Sequence, residues 1–104
     1  MIETKEINFD ELRRSADSAC SLMKVMANPD RLMLLCQLSQ GEKSVGELEA
    51  ILDIRQPTLS QQLTVLREAE LVATRRDGKS IIYRISSQSA LAVMQVLSQQ
   101  ICNT

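Results

Sequence analysis

The apolar residues of this chain change their period twice, and that limits the fold more than any other feature. Up to Glu70 they recur at helical spacing. The runs Val72 to Arg76 and Ser80 to Ile85 are instead β-prone, and Asp77-Gly78 between them is a strong hairpin signal. Residues 88 to 101 return to a helical pattern. The chain therefore reads as mainly α with a small β-hairpin.

Before the hairpin the punctuation divides four helices. Residues 9 to 27 place Leu12, Ala16, Ala19, Cys20, Met23 and Met26 at helical spacing. Asn28-Pro29 ends that helix and starts the next, since Asn can cap and Pro suits the first helical position. The second helix, about residues 29 to 39, stops near Gly41. Ser44-Val45-Gly46-Glu47 has capping-box spacing and opens a short third helix with Val45, Leu48, Ile51 and Leu52 inward. Asp53-Ile54-Arg55 is then a tight turn. Pro57 starts the fourth helix, with Gln56 or Arg55 as its cap, and Leu59, Leu63 and Leu66 form one narrow stripe. The order α-α-α-α-β-β-α is that of a winged helix-turn-helix: the third and fourth helices are the helix-turn-helix and the hairpin is the wing.

At 104 residues the chain, 1 to 104, is expected to be one domain. It is 44% apolar but has one Phe, one Tyr and no Trp, so its core must be aliphatic. The last helix is apolar on more than one side, through Leu91, Val93, Met94, Val96, Leu97 and Ile101. That is broader than one small core requires, and a chain this short gains by burying more surface, so a second subunit is expected against it. The N-terminal segment has no signal-peptide character, and no apolar run approaches the ~20 residues of a membrane span. A cytoplasmic protein without a membrane partner is expected, its thiols kept reduced.

The net charge is only −1, but its distribution is uneven. Arg55, Arg67, Arg75, Arg76, Lys79 and Arg84 face three acids between residues 55 and 84, a local +3 against −4 for the remainder. Such a basic stretch on an acidic body fits contact with nucleic acid. With the leucine stripe inward, Pro57, Thr58, Ser60, Gln61, Thr64 and Glu68 take the outer or flanking arc of the fourth helix. Gln, Ser and Thr can hydrogen-bond base edges, so Gln56, Thr58, Ser60, Gln61 and Thr64 are the candidates for reading double-stranded operator DNA. Arg67, Arg75, Arg76 and Lys79 are the candidates for phosphate.

Five stretches together resemble the ArsR/SmtB family of bacterial repressors: Ala27-Asn28-Pro29-Asp30-Arg31-Leu32, Ser44-Val45-Gly46-Glu47-Leu48, Gln56 to Leu63, Leu66 to Val72, and Arg75-Arg76-Asp77-Gly78-Lys79. The resemblance implies a homodimer joined through the first and last helices, blocking transcription until an inducer releases it from its operator. Some members hold a metal on a Cys-x-Cys pair, but the corresponding positions here are Ser44 and Gly46. Others use His on the last helix, and this chain has no histidine. Zinc and its relatives want about four N or S ligands, so no metal or other cofactor is expected.

Cys20, Cys36 and Cys102 remain. Cys36 and Cys102 resemble the thiol pair of the metal-independent, persulfide-sensing BigR-like branch. The resemblance implies that a persulfide or polysulfide inducer links the pair, directly or through extra sulfurs, and so weakens DNA binding. By residue type alone a thiol placed like Cys36 is more often packing than sensor, Cys102 is poor packing material, and Cys20 is assigned to packing. Two other readings stand beside this one. The three thiols could together bind arsenite or another thiophilic ion, or the winged helix could serve protein contacts only. Without His, a Gly-rich phosphate loop or a convergent acid pair, an enzyme is not expected.

Overall fold

The computed structural model describes residues 8–101. Its elements follow one another as α1 (Phe9–Met26), α2 (Pro29–Leu38), β1 (Lys43–Ser44), α3 (Val45–Leu52), α4 (Thr58–Glu68), β2 (Val72–Asp77), β3 (Ser80–Ile85) and α5 (Gln88–Gln100). This is the expected winged helix-turn-helix with one extra strand. Helices α2 and α3 start where the sequence places their caps, whereas α4 starts at Thr58 with Pro57, not Gln56 or Arg55, at its cap position. Asn28 Oδ1 accepts the Arg31 N–H at 3.1 Å, with Pro29 in the first turn. The capping box of α3 is complete: Ser44 Oγ accepts from the Glu47 N–H at 3.1 Å, and Glu47 Oε1 from the Ser44 N–H at 2.9 Å.

The core is aliphatic. Leu34, Leu35 and Leu38 of α2 meet Leu48 of α3, the Leu59, Leu63 and Leu66 stripe of α4, and Ala90 and Met94 of α5. Ile54, in the turn between α3 and α4, is also buried, whereas Ile51 is half exposed. At about 100° per residue Val45 and Leu52 lie to one side of Leu48 and Ile51 to the other, so a short helix cannot bury all four.

The wing has three strands in the order β1-β3-β2. Lys43 and Ser44 pair with Tyr83 and Ile82, covering the outer edge of β3. Strands β2 and β3 pair from Val72↔Ile85 to Asp77↔Ser80, leaving Gly78-Lys79 as a two-residue turn. Gly78 takes φ +64, at the first central position where such a turn favours glycine.

Helix α1 meets the core only through its last turns. Met26 is buried, while Leu12 and Met23 are 49% and 55% exposed. On α5, Val96 and Ile101 are 56% and 73% exposed. Cys20, expected as packing, is exposed on α1 and fills no core within this chain.

Candidate nucleic-acid interface and thiol pocket

Burial of Leu59, Leu63 and Leu66 turns the opposite side of α4 to solvent, and Thr58, Ser60, Gln61, Thr64 and Arg67 are all exposed there. They are not equivalent. Gln56 lies outside the helix, and its Oε1 accepts from both the Ser60 N–H at 3.1 Å and the Ser60 hydroxyl at 2.6 Å. Gln56 thus serves a free backbone donor of the first turn, although Pro57 holds the formal cap position. The Thr64 hydroxyl donates to the Ser60 carbonyl at 2.8 Å. Among the described residues nothing accepts or donates a side-chain hydrogen bond with Thr58, Gln61 or Arg67, whose polar groups point to water.

The pleat separates the wing's arginines. Opposed residues of paired strands share a face, so Thr74 and Arg76 lie with Tyr83 and Ile81. Tyr83 and Ile85 pack on the core, which makes this the inner face. Arg75 lies on the outer face with Ile82. There its Nε and Nη2 donate to the two oxygens of Glu42 at 3.1 and 2.9 Å. The pair bridges from the turn before β1 to β2, across β3. The Arg75 hydrogen bond holds the Glu42 carboxyl below the ordinary carboxylate range, and Glu42 holds the Arg75 guanidinium above its own. Arg76 and Lys79 remain exposed near the tip. Sequence reasoning missed Glu42, because its partner is 33 positions away.

Cys36 is half buried on α2, against the core. It lines a pocket of about 180 Å³ between α2 and α5 with Leu32, Met33, Met94, Leu97, Ser98 and Ile101. Cys20 is not part of that wall. Cys102 lies outside the described residues. Among those residues no cluster of three or more His, Cys, Asp or Glu could hold a metal ion, and no helix is long and apolar enough to cross a membrane.

Residues 28–74, which carry α2, the helix-turn-helix and the start of the wing, match the family described as "Bacterial regulatory protein, arsR family". The chain is 50% identical to the biofilm growth-associated repressor of Agrobacterium fabrum, over 97% of this chain and 86% of that protein. Two solved structures are similar in shape. Reduced HlyU from Vibrio cholerae has a TM-score of 0.87 at 38% identity, covering 91% of this chain and all of that one. The transcriptional repressor BigR from Xylella fastidiosa has a TM-score of 0.84 at 43% identity, covering 94% and 100%. The protein is a regulator and not an enzyme: it belongs to the arsR family of bacterial regulatory proteins.

Proposed function

We propose that this protein is a cytoplasmic, homodimeric transcriptional repressor that leaves its operator when a persulfide or polysulfide oxidises Cys36 and Cys102. In this reading α4 enters the major groove. Thr58 and Gln61, whose polar groups are open to water, make the base contacts. Gln56, Ser60 and Thr64 join them by exchanging their internal hydrogen bonds for DNA. Arg67, Arg76 and Lys79 meet phosphates, and Arg75 reaches DNA only if it leaves Glu42.

The observation that carries the sensing half is the pocket shared by α2 and α5. Its wall runs from Cys36 to Ile101. Cys102 follows Ile101 in the sequence. A cross-link needs the two Cα atoms within about 7 Å, and the proposal requires Cys102 to come that close to Cys36. The similarity to a protein solved as reduced HlyU supports a redox reading as well.

The chemistry balances without a cofactor. The Cys36 thiolate attacks the outer sulfur of an alkyl persulfide, giving a Cys36 persulfide and releasing the alkyl thiolate. The Cys102 thiolate then attacks Cys36 Sγ, forming the disulfide and expelling hydrosulfide. If Cys102 is itself persulfidated first, condensation of the two persulfides leaves a trisulfide and releases hydrogen sulfide. Either bridge ties α2 to α5 and alters the spacing of the two reading heads, and only such a differential effect can release DNA.

The test is operator binding by fluorescence anisotropy before and after glutathione persulfide. Wild type is expected to lose affinity and regain it with dithiothreitol, while Cys36→Ser and Cys102→Ser bind DNA but ignore the persulfide. A response that survives in Cys36→Ser, or that needs Cys20, contradicts the proposal.

A further inference from the structure

Among the described residues, every side-chain hydrogen bond that joins one helix to another is made by Arg31. It stands in the first turn of α2, placed there by the Asn28 cap. Its Nε donates to the Val25 carbonyl in the last turn of α1. Its Nη1 donates to Gln62 Oε1, in the second turn of α4, at 2.8 Å. One half-buried guanidinium thus fastens three helices.

The two contacts differ in purpose. Val25 offers one of the end carbonyls that have no partner within their own helix, and a cation is favoured at that end. Gln62 lies between Gln61, which is exposed, and Leu63, which is buried. The leucine stripe decides which side of α4 faces inward, but apolar burial is non-directional and tolerates small tilts. A hydrogen bond is directional, and one to a charged donor is stronger than a neutral one. Helix α1 otherwise reaches the core only through Leu22, Val25 and Met26. Arg31 is therefore the polar link between the helix that projects from the domain and the helix that presents Gln61.

We propose that Arg31 and Gln62 are positioning residues for operator binding: they hold α4 at a fixed attitude to α1, so that a dimer accepts its two half-sites at one spacing only. This rests on the reading above, in which α1 and α5 form the dimer and α4 reads the groove. Neither residue touches DNA. A base pair inserted between half-sites rotates one against the other by about 35°, which a rigid protein cannot follow.

The test uses an operator selected by the wild-type protein from a randomised duplex pool, and the same duplex with one base pair added or removed between its half-sites. Wild type is expected to lose about 10-fold or more in affinity on either change, as fixed half-site geometry demands. Gln62→Leu is expected to bind the selected operator about 10-fold more weakly, the scale of one charge-assisted hydrogen bond, yet to lose less than about 3-fold on the spacer changes. Its salt dependence stays that of wild type, because no phosphate contact is removed. Arg31→Lys, whose ammonium cannot span both acceptors, behaves like Gln62→Leu. Gln62→Glu retains the wild-type spacer penalty.

A dimeric Gln62→Leu with the full wild-type spacer penalty overturns the inference, as does a wild type indifferent to spacing. A lower salt slope or a changed base preference in Gln62→Leu also overturns it, by making Gln62 a DNA contact. Should Gln62→Leu fail to fold, Arg31→Lys and Gln62→Glu decide on the same readout. Sedimentation of the wild type separates the two levels: a monomer bound to operator removes the dimer reading itself.

Discussion

Ser44 and Glu47 begin the helix-turn-helix, and their reciprocal bonds make that start sensitive to acid. The hydrogen bond from the Ser44 N–H holds the Glu47 carboxyl below the ordinary carboxylate range. A folded-state pKa below the unfolded one stabilises above the usual carboxylate range, and that contribution disappears as pH falls through the lowered value. Glu47→Ala is thus expected to be less stable than wild type at neutral pH, with the gap narrowing on acidification; a constant gap in urea titrations contradicts this. Ser44→Ala should cost about 1 kcal/mol in the same measurement. The wing makes a second prediction. Arg76→Ala should lower the salt slope of operator binding by about 0.9, one phosphate contact, and Arg75→Ala by less than about half of that, because Glu42 already occupies its guanidinium. An equal effect of the two variants would place Arg75 on phosphate. The capping box was legible because both its bonds are local. The Glu42 bridge was not, being set by strand register. The internal bonds of Ser60 and Thr64 did carry a signal, the four-residue spacing of Gln56, Ser60 and Thr64, at which a hydroxyl competes for its own helix.

Each helix divides its residues between packing and contact, most cleanly in α4. Leu63 is 1% exposed, and Leu63→Ala should cost about 2–5 kcal/mol of stability, read from denaturant midpoints. Gln61→Ala should leave the midpoint within about 0.5 kcal/mol and relax base preference at a single operator position. Loss of stability in Gln61→Ala, or loss of sequence preference throughout the site, would contradict that division. The period of the apolar residues made α1, α2, α4, α5 and the hairpin legible, since each runs long enough for a period to show. It failed where elements are short. Lys43–Ser44 has no alternation to read, and it is a strand only because β3 lies alongside. Ile51 and Ile54 exchanged roles because a two-turn helix leaves the turn after it to complete the core.

At the scale of the whole molecule the described chain is more extended than its length requires. Its radius of gyration is 15.7 Å, against about 13 Å for a compact domain of about 100 residues. Helix α1 and the outer side of α5 leave Leu12, Met23, Val96 and Ile101 exposed. In the proposed dimer a second copy covers them, which would account for both facts. Leu12→Glu is therefore expected to sediment as a folded monomer and to lose operator affinity, whereas a Leu12→Glu dimer with full affinity would remove α1 from the interface. The breadth of α5's apolar surface was legible in the sequence; the partner that covers it is not, since apolar residues do not name what they bury against. The same holds for Cys36, whose thiol is half buried and beside a pocket at once. Its role is decided most directly by intact mass and peptide mapping of the reduced protein, treated with glutathione persulfide and separately with oxidised glutathione. One cross-linked peptide joining Cys36 to Cys102, as a disulfide or with one added sulfur, is expected with the persulfide and not with oxidised glutathione. A protein that binds operator yet never forms that link would make Cys36 a core residue and contradict the account.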